Sequence, residues 1–111
     1  MKGNVSDEHP SREAGELLTK NEKDLERALK LIALMSNPTR LKIAFLLNTR
    51  ELCITDLVRI LGVEQTLISH YIRDFKELNL TKERREGRKR FYSIEDKKIQ
   101  DFFSTISVPF I

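Results

Sequence analysis

The chain has 111 residues, enough for one modest core, and aromatic residues make up only 7% of it, so that core has to be aliphatic. Its formal net charge of +3 hides an asymmetry: residues 1–26 carry seven acids against four bases, and residues 27–111 carry sixteen bases against ten acids. A single cysteine excludes an intramolecular disulfide, no apolar run approaches the roughly 18–20 residues that cross a bilayer, and the polar Met1–Arg12 segment lacks an apolar signal core, so a soluble cytoplasmic protein with no membrane association is expected.

Residues 1–10, with Gly3, Asn4, Ser6 and Pro10, read as a flexible N-terminal tail, and 11–111 as one domain. From Ser11 the spacing of Leu18, Leu25, Leu29, Ile32 and Met35 predicts one long first helix, with Lys23, Glu26, Arg27 and Lys30 on its outer face. That length exceeds what a small domain can cover, so part of the stripe calls for a partner chain. Asn37-Pro38 starts a second helix, Asn37 as N-cap and Pro38 at the first helical position, with Leu41, Ala44, Phe45 and Leu47 inward. Leu52-Cys53-Ile54 suits only a short edge strand. Thr55 is expected to cap a third helix packed through Leu57, Val58 and Leu61 and ended by Gly62 in a left-handed turn. A fourth helix, Gln65–Leu78, aligns Ile68, Tyr71, Ile72, Phe75 and Leu78, and Asn79 is its left-handed cap. Two strands, Leu80–Arg85 and Lys89–Ile94, flank a Glu86-Gly87 turn. The last helix, Asp96–Ile106, carries Ile99, Phe102, Phe103 and Ile106, and the apolar end Val108–Ile111 is expected to be packed. The fold class is therefore mainly α with a small β-hairpin: helix, helix, short strand, helix, helix, strand, strand, helix.

Two short helices joined by a Gly-containing turn, Thr55–Asn79, make a helix-turn-helix unit whose second helix enters the DNA major groove. Its exposed side carries Gln65, Thr66, Ser69, His70 and Arg73, side chains able to pair with base edges or phosphates. The hairpin follows at once and sets six bases, Lys82, Arg84, Arg85, Arg88, Lys89 and Arg90, against Glu83 and Glu86. A basic wing beside a recognition helix can contact phosphates or the adjacent minor groove. Double-stranded DNA is thus the expected partner. With no phosphate-cradling glycine loop, no metal-ligand cluster and no nucleophile beside a base, an enzyme is not expected.

Over residues 25–106 the chain resembles the ArsR-type (arsenical-resistance repressor) winged helix-turn-helix family. Three ordered blocks carry the likeness: ALMSNPTRLKIAFLL at 33–47, ELCITDLVRILGVEQTLISHYIRDFKELNL at 51–80, and RREGRKRFYSI at 84–94. The resemblance implies a homodimer built from the first and last helices that represses transcription until a signal releases it, and a symmetric dimer of this kind is expected to read an inverted-repeat operator. It implies DNA reading by Gln65, Thr66, Ser69 and His70 and a wing contact by Arg88. Glu64, Leu67 and Tyr71 depart from the family's usual residues there. Many relatives bind metal through a Cys-x-Cys pair, but here Thr55 stands in place of the second thiolate of Cys53, and the last helix has acids without histidine. One soft ligand is a poor site for zinc, cadmium or arsenite, so no metal or other cofactor is expected. Cys53 reads as a small buried hydrophobe, with a redox role as the alternative. A protein-contact module and a non-specific architectural DNA binder remain open beside the repressor.

Overall fold

In the computed structural model residues 8–106 are described, and the chain divides into two compact units between Ile32 and Ala33. The expected packing of Val108–Ile111 and most of the expected tail lie outside the described residues.

The first unit is helical, and its one expected helix is two: α1 (Glu8–Lys20) and α2 (Glu22–Met35), whose last three residues belong to the second unit. The break falls at Asn21, whose side-chain amide donates to the Leu17 carbonyl (2.8 Å) that its own backbone N–H also uses (3.1 Å). A short polar side chain that competes for backbone groups weakens a helix interior. The helix also begins three residues earlier than expected, because Pro10 is tolerated in a first turn, where its missing N–H has no helical acceptor. Leu17, Leu18, Leu25, Leu29 and Ile32 are between 49% and 66% exposed.

The second unit is a winged helix-turn-helix: α3 (Pro38–Thr49), β1 (Leu52–Cys53), α4 (Ile54–Leu61), α5 (Gln65–Glu77), β2 (Lys82–Glu86), β3 (Lys89–Ser93) and α6 (Lys97–Ile106). Asn37 caps α3 as expected, its Oδ1 accepting from the Arg40 amide at 3.0 Å, with Pro38 in the first turn. The buried residues of α3 are Ile43, Ala44 and Leu47, while Leu41 and Phe45 are only half-buried. This helix is covered from more than one side, by β3 and by α6, so a single-stripe reading misses Ile43. The Ile94 amide donates to the Leu47 carbonyl (2.8 Å), and Phe45 meets Phe103 of α6 edge-on at 5.5 Å.

The cap of α4 differs from expectation. Cys53 holds the N-cap position and Thr55 lies inside the first turn, because Asp56 Oδ2 accepts from the Cys53 amide (3.1 Å) and so secures a helix that begins at Ile54. Gly62 ends α4 with φ +65°, and its amide reaches the Val58 carbonyl. Helix α5 ends in paired bonds, Leu80 N–H to Phe75 O and Asn79 N–H to Lys76 O, with Asn79 left-handed at φ +57°. Because Leu80 completes that cap, β2 starts only at Lys82. The sheet order is β1-β3-β2, all antiparallel, and the last hairpin pair is Glu86↔Lys89, so Gly87 (φ +63°) and Arg88 make the turn. The core of this unit comes from Ile43, Ala44 and Leu47 of α3, Leu57 of α4, Ile68, Tyr71, Ile72 and Phe75 of α5, Leu80, Tyr92 of β3, and Ile94 and Ile99 beyond it, together with Leu34, Met35, Leu52 and Cys53. Asp96 starts α6 by accepting from the amides of Lys98 (2.8 Å) and Ile99 (3.1 Å), which sets Ile99 inward.

The left-handed backbone at residue 79 gives a direct test. Asn79→Gly is expected to leave stability unchanged or raise it slightly, whereas Asn79→Val should cost about 1–2 kcal/mol in a urea unfolding series.

Candidate nucleic-acid interface

Burial of Ile68, Tyr71, Ile72 and Phe75 leaves the opposite side of α5 in solvent. Gln65 and Thr66 occupy its first turn and are exposed, Ser69 is half-buried, and His70 and Arg73 are exposed. At about 100° per residue, 66, 69, 70 and 73 fall on one side, so the structure brings the predicted recognition residues onto a common face. Leu67 stands among them at 39% exposure, and Glu64 precedes the helix with no cap hydrogen bond from its side chain.

A network behind this face involves two residues that sequence reasoning missed. Asp74 Oδ2 lies 4.0 Å from His70 Nε2 and 3.5 Å from Arg40 Nη1. The Arg40 guanidinium sits over the Tyr71 ring (5.2 Å) and donates to the carbonyls of Leu34 (2.7 Å) and Ala33 (3.3 Å) at the end of α2. The His70–Asp74 spacing of four is a readable helical signal. Arg40 lies 34 residues from Asp74 and carries no local sign of that contact.

The six bases of the wing are not equivalent. Glu83 pairs with Lys76 of α5 at 3.0 Å, and Lys76 also lies 5.5 Å over the ring of buried Tyr92, the cross-strand partner of Glu83. The hairpin face carrying Glu83, Arg85, Arg90 and Tyr92 is therefore the one turned to α5. Lys76 first, then the charges of Arg90 and Arg85, hold the Glu83 carboxyl below its usual range. Arg85 and Arg90 are a direct cross-strand pair of like charge, and Arg90 Nε is 3.7 Å from Glu83. Among the described residues Arg85, Arg88, Lys89 and Arg73 carry no ion pair, whereas Arg84 is bound by Glu51 and Glu86 and Lys82 by Glu95 (3.2 Å). The hydrogen bonds that Arg84 donates to Glu51 and Glu86 drive its pKa further up, so it stays charged.

Between the start of α4 and the wing lies an open crevice of about 290 Å³, with Cys53, Ile54 and Thr55 on one side and Arg88, Lys89 and Arg90 on the other. Cys53 is buried, and its Sγ donates to Asp56 Oδ2 at 3.2 Å. The donor set there is one thiol and one carboxylate already engaged by the Cys53 amide, which does not fit a thiolate metal site needing three or four donors. On α6, Asp96 caps the helix and Asp101 pairs with Lys97 (3.3 Å). Among the described residues no three His, Cys, Asp or Glu side chains converge on a point that would hold a metal ion, and no helix is long and apolar enough to cross a membrane.

The family described as "Bacterial regulatory protein, arsR family" matches residues 37–82, from the cap of α3 to the first residue of β2. A cadmium resistance transcriptional regulatory protein CadC homolog of Staphylococcus aureus is 30% identical over 97 residues, covering 86% of this chain and 78% of that protein. The transcriptional repressor PagR of Bacillus anthracis superposes with a TM-score of 0.65 at 27% identity, covering 77% of this chain and 98% of that one. A homodimeric winged helix-turn-helix DNA-binding domain from Mycobacterium bovis shares the fold, with a TM-score of 0.69 at 20% identity over 96% of this chain and 87% of that one.

The cap at Asp56 predicts an acid window. Its carboxyl is held below the ordinary 3.8, chiefly by the hydrogen bond from the Cys53 backbone amide and then by the one from its thiol. A folded-state pKa below the unfolded one stabilises above the unfolded value, and the gain is lost as pH falls through the folded value. Asp56→Ala should therefore be about 1 kcal/mol less stable than the parent at pH 7. In urea melts that gap should narrow progressively below about pH 4. A gap that does not change down to pH 3 would contradict the carboxylate's role.

Proposed function

We propose that this chain, which belongs to the arsR family of bacterial regulatory proteins, is a homodimeric repressor that reads an inverted-repeat operator in double-stranded DNA without a metal signal. That it is a DNA-binding transcriptional regulator with a winged helix-turn-helix fold follows from the family. The finer reading rests on one observation above all: a polar face at the N-terminal half of α5 stands in solvent beside a hairpin whose Arg85, Arg88 and Lys89 are unpaired among the described residues.

In this reading Gln65, Thr66, Ser69 and His70 meet base edges, and Arg73 reaches a guanine or a phosphate. Arg85, Arg88, Lys89 and Arg90 meet phosphates or the minor groove, and Arg84 serves the wing from behind. The exposed leucines of α1 and α2, and Phe102 and Ile106 of α6 (each 40% exposed), are covered by a second copy, so the first and last helices form the dimer. The homodimeric state of the Mycobacterium bovis domain supports that assembly. A twofold dimer sets its recognition helices about one turn apart, roughly 34–36 Å, which calls for an inverted repeat. The donor set around Cys53 supports the absence of metal sensing, and the burial of its thiol favours a packing role over a redox one.

The test is a fluorescence titration against the duplex upstream of the protein's own gene and a scrambled duplex, at near-physiological salt. A preference of about a thousandfold or more is expected for the native duplex. Equal, salt-steep binding to both would favour an architectural role, and binding to neither a protein partner. Ser69→Ala and His70→Ala should each weaken the native complex about tenfold and leave the scrambled one unchanged. Arg88→Ala should weaken both and lower the salt slope by about one. Elemental analysis of a dialysed sample is expected to find no stoichiometric zinc, and one zinc per chain would refute the metal-free reading.

A further inference from the structure

We infer that Glu51, an acid at the base of the wing, is a positioning residue for DNA binding: through Arg84 it fixes the hairpin to the strand that runs into the helix-turn-helix.

The sheet is lopsided. Strands β2 and β3 pair over five residues, but β1 supplies only Leu52 and Cys53, opposite Tyr92 and Phe91. Everything from Arg85 to Arg90 therefore extends beyond the third strand, and every residue of β2 is exposed. A two-stranded ribbon of this kind has little to fix its direction. What holds it sits at its root. Arg84, Phe91 and Cys53 form one row across the three strands, and side chains in such a row share a face. Glu51, two residues before Cys53, has the parity of that face. From the far edge the Arg84 guanidinium crosses Phe91, 4.7 Å above its ring, and grips the Glu51 carboxylate. Nε lies 3.1 and 3.0 Å from its two oxygens, and Nη2 lies 2.8 Å from Oε1. Its remaining arm, Nη1, holds Glu86 Oε2 at 2.7 Å.

Isolated surface ion pairs contribute little, but a two-point fork stacked on an aromatic ring and shared by two carboxylates is the exceptional geometry. The opposite face has its own tether one residue away, Lys76 of α5 to Glu83. Neighbouring residues 83 and 84 thus tie the hairpin on its two faces, one to the recognition helix and the other to the chain entering α4.

This inference rests on the DNA-binding reading, and charge makes it decisive. An acid close to a phosphate-binding wing repels DNA, so charge alone predicts that Glu51→Gln tightens binding. Positioning predicts the reverse, because a loosened wing has to be ordered when DNA arrives. Duplex titrations of Glu51→Gln, Arg84→Gln and the double variant are expected to show a loss on the order of three- to tenfold for each single change. The double variant should be no weaker than Arg84→Gln alone, and the salt slope should hold in all three. The urea midpoint should stay that of the parent, which separates positioning from global stability. Without DNA, amide relaxation at Gly87 and Arg88 should report greater fast motion in Glu51→Gln than in the parent. Tighter or unchanged binding by Glu51→Gln, or a salt slope about one lower in Arg84→Gln, overturns the inference. Should the parent bind no duplex at all, the DNA reading fails by itself, and the relaxation measurement still decides whether Glu51 holds the wing: an unaltered tip overturns it.

Discussion

Burial of Ile68, Tyr71, Ile72 and Phe75 fixes the roll of α5 about its own axis, and the candidate interface inherits its geometry from that roll. Each such side chain contributes roughly 1.5–3 kcal/mol when taken from water, far more than any exposed polar group on the same helix could gain by turning inward. A rotation of one residue, about 100°, would expose Phe75 and bury a charged side chain. The outward placement of Thr66, Ser69, His70 and Arg73 is thus a consequence of packing. The ends of the helix-turn-helix serve the same purpose. Gly62 lets the chain reverse between α4 and α5, and the cap at Asn79 turns it sharply enough for Leu80 to be buried before the wing begins.

Features decided within four or five residues were legible in the sequence. Asn37, Gly62 and Asn79 act where expected because capping chemistry is local, and the limits of α5 differ by one residue. The departures have local competitors as their cause. Asn21 draws on the Leu17 carbonyl and divides a periodic stretch. Asp56 satisfies the Cys53 amide and so moves the start of α4 ahead of Thr55, and the hairpin turn shifts to Gly87-Arg88 because Glu86 pairs with Lys89. What the sequence concealed is the long-range pairing. Arg84 meets Glu51 across 33 residues and Arg40 meets Asp74 across 34, and charge composition gives no hint of either partner.

Those pairings change what the basic run means. Counted along the chain, 82–90 looks like a polycationic strip. Glu51 and Glu86 engage Arg84, Glu83 engages Lys76 and lies beside Arg90, and Glu95 engages Lys82, so the unpaired charge gathers toward the tip, on Arg85, Arg88 and Lys89. The acids shape the wing rather than dilute it. A focused cationic tip next to a polar helix face suits phosphate contacts made at a fixed distance from base contacts, whereas a diffuse strip would suit binding without register.

The start of α4 follows the same logic at smaller scale. A thiol and a carboxylate lie there 3.2 Å apart, two groups that a soft metal ion would take as ligands. In this chain the carboxylate already accepts from both the Cys53 amide and its thiol, and Arg59 Nη1 stands 3.4 Å from its other oxygen. Binding a metal there would need the cap broken and the thiol deprotonated. Holding the first turn of α4 closed and offering those groups to a metal are competing uses of one carboxylate, and the hydrogen bonds favour the first.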